Sequence, residues 1–254
     1  MKSESDLPRR LRQLVGTLDA NGIHSPADAH EALARAGIQR ADVLPWANFK
    51  HSVYDSYGRK LVHLGSNYEL MVMSWAPGDF SAIHDHGHTQ WGAVLYLGAA
   101  EHAIFRLADN QLTTVGRTTM RSGDVNQVDH DLIHQMGNRG QDPFLSVHLY
   151  GCDSVRENVT GDARVFDLFE KQIQFTDGGV FFCLPENDIN ARQPGPTGDE
   201  RTTRSHHTMM LDRIRKIQQA GESAPHLNQR GDALERLLND LPTAAQSCRH
   251  ELTG

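Results

Sequence analysis

From Trp46 to Leu184 the chain is cut into short segments rich in β-branched and aromatic residues: "RKLVHLG", "YELMVMSW", "GAVLYLG", "HAIFRL", "LTTVGRTTMRSG", "VNQVDH", "FLSVHLYG" and "KQIQFTDGGVFFCL". Gly, Asp, Asn and Pro separate them at intervals of roughly 8–12 residues, a rhythm that predicts an all-β sandwich or barrel.

The flanks have a different texture. In "DLPRRLRQLVGTLDANG", Leu11, Leu14, Val15 and Leu18 fall at helical spacing. "SPADAHEALARAGI" has Ser25 as an N-cap, Pro26 at the first helical position and Gly37 as a stop, and Pro45 in "DVLPW" breaks the pattern. Beyond the β-rich part, "LPENDINARQPGPTGDERTTRS" reads as a polar linker. "HTMMLDRIRKIQQAG" and "DALERLLNDL" read as helices able to pack on the barrel or on a second copy, a homodimer; "TAAQSCRHELTG" reads as a frayed end. The expected organisation is a helical segment over residues 1–45, a barrel over 46–185, and a linker with a helical extension over 186–254.

Composition narrows the partners. A net charge of −7 over 254 residues argues against nucleic acid, which needs a clustered basic face. No run approaches the ~18 apolar residues of a membrane span, and "MKSESDLPRRLRQLVG" has no apolar signal core. Cys152, Cys183 and Cys248 are odd in number and lack CxxC spacing, so reduced thiols in a cytoplasm are expected rather than a structural zinc knuckle.

The candidate chemistry lies in "SAIHDHGHTQWGAVLYLG". His84 and His86 are two apart, and on a strand such residues share a face, so both imidazoles can grip one ion. Read alone, the pair fits half-buried strand histidines equally well. Gly78 stands ahead of the pair and Gly98 after it; downstream, "GDVNQVDHDLIHQMGN" supplies Gly123, His134 and Asn138. These two blocks resemble the two motifs of the cupin superfamily. The resemblance implies a jelly-roll barrel in which His134 meets His84 and His86; with the helical patterns of the flanks, the expected fold is mainly β, a cupin barrel with N-terminal helices and a helical C-terminal extension. Most metal-binding cupins carry a Glu four residues after the second His, where this chain has Gln90. Three neutral imidazoles then leave the metal its full charge and invite an anionic ligand such as a thiolate. His88 reads as a rim residue, His130 as surface, and Asp85 as a structural acceptor facing away from the histidines.

In "FLSVHLYG", Ser146, His148 and Tyr150 share one face of a strand, which is costly to bury unless they are hydrogen-bonded. A Ser-x-His-x-Tyr strand after the third histidine resembles the thiol dioxygenases of the cysteine dioxygenase family, as does "YGRKLVHLGSNYELMVMSWAPGDFSAIHDHG". The likeness covers roughly residues 46–152 closely and the helical N-terminus loosely, and the chain beyond about residue 185 is unlike that family. It implies Fe(II) on His84, His86 and His134, with a small thiol and O2 as substrates. Arg59 would hold the substrate carboxylate, with Tyr57 beside it; Tyr150 would aim its hydroxyl at the iron site, ordered by His148 and Ser146. Arg59 favours L-cysteine over 3-mercaptopropionate, whose users commonly carry Gln there. Animal members place a Cys that crosslinks to the tyrosine where Trp91 stands here, with Gly92 next. No thioether is therefore expected, and Trp91 is expected to reshape the pocket. Carbon-substrate dioxygenases, isomerases and non-catalytic metal-binding cupins are the rival classes.

Overall fold

The computed structural model describes residues 6–155, 158–222 and 225–241. Cys248 and the stretch expected to fray lie outside the described residues.

Two N-terminal helices form, α1 (Arg9–Asn21) and α2 (Pro26–Ala36). Ser25 caps α2 as expected: its hydroxyl accepts from the Asp28 amide at 3.1 Å, and Gly37 ends the helix in the left-handed conformation at φ 59°. A short helix α3 (Arg40–Val43) and a 3₁₀ turn through Pro45 lead into the barrel.

The first sheet contains β1 (Gly58–Leu64), β2 (Tyr68–Trp75), β3 (Trp91–Tyr96), β6 (Val125–Asp129) and β8 (Phe144–Gly151), in the order β1-β2-β8-β3-β6. The second contains β4 (Ala100–Ala108), β5 (Gln111–Met120) and β7 (Ile133–Gly137), ordered β5-β4-β7. The segment Phe80–His84 joins β7 to a further ladder of β9 (Ala163–Asp167) and β10 (Gln172–Thr176), because His84 bridges both His134 and Val165.

β2, β3 and β8 are buried along their whole length because both faces are covered. One face meets the second sheet, where Met71, Met73, Trp75, Val94 and Tyr150 join Met136 and Val165 in one cluster. The other face carries Leu70, Val72, Ala93, Leu145, Val147 and Leu149 against Leu11, Leu14, Val15, Leu18 and Leu33 of α1 and α2. The apolar stripes of the helices and the unbroken apolar runs of the strands thus explain each other.

The stretch expected as a linker is partly sheet. β11 (Ala191–Pro194) pairs with β10, and β12 (Thr197–Gly198) runs parallel to β5. β11 is exposed throughout: it is an edge strand held by backbone bonds, so its side chains carry no apolar pattern to read. The last two helices, α4 (Glu200–Gln219) and α5 (Pro225–Asp240), begin earlier than their apolar periodicity suggests. Asp199 caps α4, accepting from the Thr202 amide at 2.7 Å. The apolar side of α4, with Met210, Ile214 and Ile217, is buried within the chain against the barrel and α5. Among the described residues, no helix is long and apolar enough to cross a membrane.

Candidate metal centre and pocket

His84 and His86 leave the segment that ties β7 to β9, and His134 stands on β7 directly across from His84. Alternation sends Ile83 and Ile133 into an apolar cluster on the far side, so the imidazoles turn into the barrel. All three are buried, and one nitrogen from each lies within 4.8 Å of the others. Nε2 of His84 and Nε2 of His134 are 3.1 Å apart. Two nitrogens each about 2.1 Å from one ion would stand about 3.0–3.4 Å from one another, for angles at the ion from about 90° to 109°.

The electrostatics fit a cation. Burial pushes His84 down to about 4, and burial with repulsion from its neighbours holds His86 and His134 well below the usual imidazole value. All three are therefore neutral at pH 7, the form that ligates. The buried His86 ring nitrogens have no well-formed hydrogen bond, and a bound ion would satisfy one of them. The donor set is thus that of a metal site, and Gln90 is exposed, its amide oxygen accepting from the Asp153 amide at 2.6 Å instead.

The other histidines stand apart. His88 is half-buried with its backbone on Gly161, and His130 is exposed. Asp85 accepts from the Arg164 backbone and guanidinium, the structural role expected of it, while it also borders the cavity beside the histidines.

Beside the histidines lies a small cavity lined by Tyr57, Arg59, Tyr150 and His148 among others. Tyr57 stacks on Trp75 at 4.5 Å between ring centroids. Arg59 enters from β1; its Nη2 donates to the Thr160 hydroxyl at 2.8 Å and lies 3.7 Å from the buried Glu69 carboxylate. Its Nε is buried and unpartnered.

On β8, Ser146 Oγ lies 2.7 Å from His148 Nε2, and His148 Nδ1 lies 2.7 Å from Tyr150 Oη. Sequence reading missed the start of this line: Trp75 Nε1 reaches Ser146 Oγ at 2.9 Å. That contact sets a direction. An indole nitrogen only donates, so Ser146 accepts there, and its own proton, with no other acceptor in reach among the described residues, goes to His148 Nε2. Burial pushes His148 down to about 3, so it is neutral and its one proton sits on Nδ1, donated to Tyr150. The tyrosine proton is left for the cavity, and burial holds that phenol well above its ordinary value.

Trp91 requires a correction. It does not line the cavity. Its ring lies on the helix-covered face of β3, packed over Gly151. The residue facing Tyr150 across the ladder is Gly92. Thr160, Ala163, Gly178 and Val180 complete the wall, from a part of the chain where no motif marked them.

A two-sheet barrel that brings three imidazoles from adjacent strands into its interior defines a metal-binding cupin. The particular family follows from comparison: residues 1–154 match the model of cysteine dioxygenase type I, and the chain belongs to that family. It is 24% identical over 149 residues to cysteine dioxygenase type 1 of Homo sapiens, covering 56% of this chain and 74% of that one. To the Rattus norvegicus protein it is 25% identical over the same length and shares. Among solved structures, the Schizosaccharomyces pombe Cnp3 cupin domain aligns at a TM-score of 0.33 and 13% identity, covering 39% of this chain and 66% of that one.

Proposed function

We propose that this protein is an Fe(II)-dependent dioxygenase that converts a small thiol carboxylate, L-cysteine first, into its sulfinic acid with O2. The observation that carries this reading is convergence: three buried neutral imidazoles, a half-free arginine and a proton-bearing tyrosine border one small cavity.

His84, His86 and His134 are the residues that would hold the iron. Bound there, Fe(II) would supply a site where thiolate and O2 meet, with the thiol's pKa lowered by the ion's charge. With no carboxylate in the cluster, the ligands leave that charge undiminished. Arg59 binds and orients the substrate carboxylate through the edge that Thr160 leaves open, since a guanidinium meets a carboxylate with two parallel bonds. Tyr150 holds a proton at Oη toward the cavity, kept there by His148, Ser146 and Trp75.

The test is oxygen uptake by the Fe(II)-loaded protein with L-cysteine, 3-mercaptopropionate and other small thiols, with product mass read in parallel. Uptake with a product heavier by two oxygen atoms supports the reading, and the preferred thiol names the substrate. Iron binding without thiol-dependent uptake would reject it in favour of a carbon-substrate or non-catalytic cupin.

A further inference from the structure

A second buried imidazole stands behind the metal ligands. His102 on β4 places Nε2 2.8 Å from His134 Nδ1, and its own Nδ1 lies 3.2 Å from the Asn126 side-chain amide. That amide lies equally, at 3.2 Å, from Tyr96 Oη. Neither His102 nor Asn126 belongs to the site described above.

Hydrogen-bond polarity along this line is determined from one end. The Ala82 carbonyl, 2.9 Å from His84 Nδ1, fixes that nitrogen as the protonated one. His84 Nε2 is then an acceptor, and without an ion between them only a proton on His134 Nε2, donated across the 3.1 Å, keeps the two lone pairs from repelling. His134 Nδ1 is left as an acceptor from His102 Nε2–H, and His102 Nδ1 as an acceptor from the Asn126 Nδ2 group. One polarity satisfies every member.

An ion held by His134 Nε2 requires the opposite polarity. A neutral imidazole that ligates through Nε2 carries its proton on Nδ1. His134 then donates to His102 Nε2, and His102 must carry its proton on Nδ1 and donate outward. Asn126 can accept only by turning its amide over, so that Oδ1 receives from both His102 Nδ1–H and the Tyr96 hydroxyl.

We infer that His102 and Asn126 form a reversible hydrogen-bond relay that sets the tautomer of His134, and that metal binding reverses it through a flip of the Asn126 amide. The proposal rests on the three-histidine metal reading. Protons balance: each imidazole stays neutral. One proton leaves His134 Nε2 to solvent, the His102 Nε2 proton passes to His134 Nδ1, and one arrives from solvent at His102 Nδ1. Both are positioning residues, acting on the ion through His134.

The test uses the full-length chain with 15N-labelled histidine, titrated with Zn(II) as a diamagnetic probe. The 15N shifts of His102 should move from the Nε2–H to the Nδ1–H pattern as zinc binds. His102→Leu should weaken zinc binding about 10- to 100-fold, the range for losing an outer partner of a ligand histidine. His102→Gln, whose amide oxygen can accept, should retain more affinity. Asn126→Asp, an acceptor only, should bind zinc more tightly than the parent. If His102 keeps one tautomer throughout, or if folded His102→Leu binds zinc within about twofold of the parent, the relay is refuted. A parent chain that binds no zinc would instead refute the metal reading beneath it.

Discussion

Gly92 on β3 stands directly across from Tyr150 on β8, and a Cβ at Gly92 would lie 2.7 Å from Tyr150 Cδ1. The phenol and the Leu149 carbonyl oxygen, 2.6 Å away, together occupy the space a side chain would take. Gly92→Ala should therefore push the ring out of line with His148. We expect a loss of about 1–3 kcal/mol in stability, the usual range for overpacking, and a lower kcat with metal content unchanged. Denaturant unfolding and steady-state kinetics on metal-quantified protein check both.

That pairing also shows where sequence reading stops. His84, His86 and Ser146-x-His148-x-Tyr150 were legible because a strand repeats every two residues, so the faces follow from spacing alone. Trp91 was placed one residue wrong because its face depends on pairing register: Trp91 opposes Gly151, and Gly92 opposes Tyr150. Register is a property of two strands, and a single strand does not carry it. His102 was invisible for a related reason. It reaches His134 across 32 residues of sequence, with no motif between them. Thr160 lies in an irregular loop, and β11 and β12 pair through backbone alone, so neither leaves a pattern. The helices were legible from their caps and apolar stripes, although α4 begins earlier than its stripe suggests.

Thr160 holds one side of Arg59 while Glu69 accepts from the Thr160 hydroxyl at 3.2 Å. Arg59 is thus braced by a threonine whose own partner is a buried acid. Thr160→Val keeps the shape and removes the brace. Substrate binding should suffer more than turnover: KM for the thiol carboxylate should rise about tenfold, roughly 1.4 kcal/mol, with kcat within about twofold. A thiol lacking the carboxylate should be unaffected by the substitution, which a matched pair of substrates would reveal.

His206 on α4 is buried, and its Nε2 accepts from the Leu168 amide at 3.4 Å. Burial, then the neighbouring His207 and Arg230, push it down to about 3. Its folded value lies below the unfolded 6.5, so the unfolded chain takes up the proton first as pH falls. The stability it contributes is intact above about pH 6.5, declines through the window down to about 3, and levels off below. Well inside that window this one group costs roughly 1.4 kcal/mol per pH unit. Urea unfolding across pH 4–6.5 should show a shallower decline for His206→Gln than for the parent. Parallel slopes would mean that His206 is protonated in the folded state as well.

The direction of the Trp75–Ser146–His148–Tyr150 line makes a kinetic prediction that a mere packing role does not. Trp75 also stacks on Tyr57 and Phe144, so Trp75→Phe keeps an aromatic ring there and removes only the N–H. Without that donor the Ser146 hydroxyl is no longer held in one orientation, and the line can turn round to draw the Tyr150 proton away from the cavity. Tyr150→Phe should lower kcat by roughly 10²-fold, the low end for losing a positioned proton donor, while metal stays bound. Trp75→Phe and Ser146→Ala should each give a smaller loss, about tenfold. Because both act through one hydrogen-bonded line, the double variant should lose little beyond either alone, a non-additivity that kcat values for the four proteins measure. Full additivity, or an unchanged kcat in Trp75→Phe, would mean that the tyrosine keeps its proton toward the cavity without help from the indole.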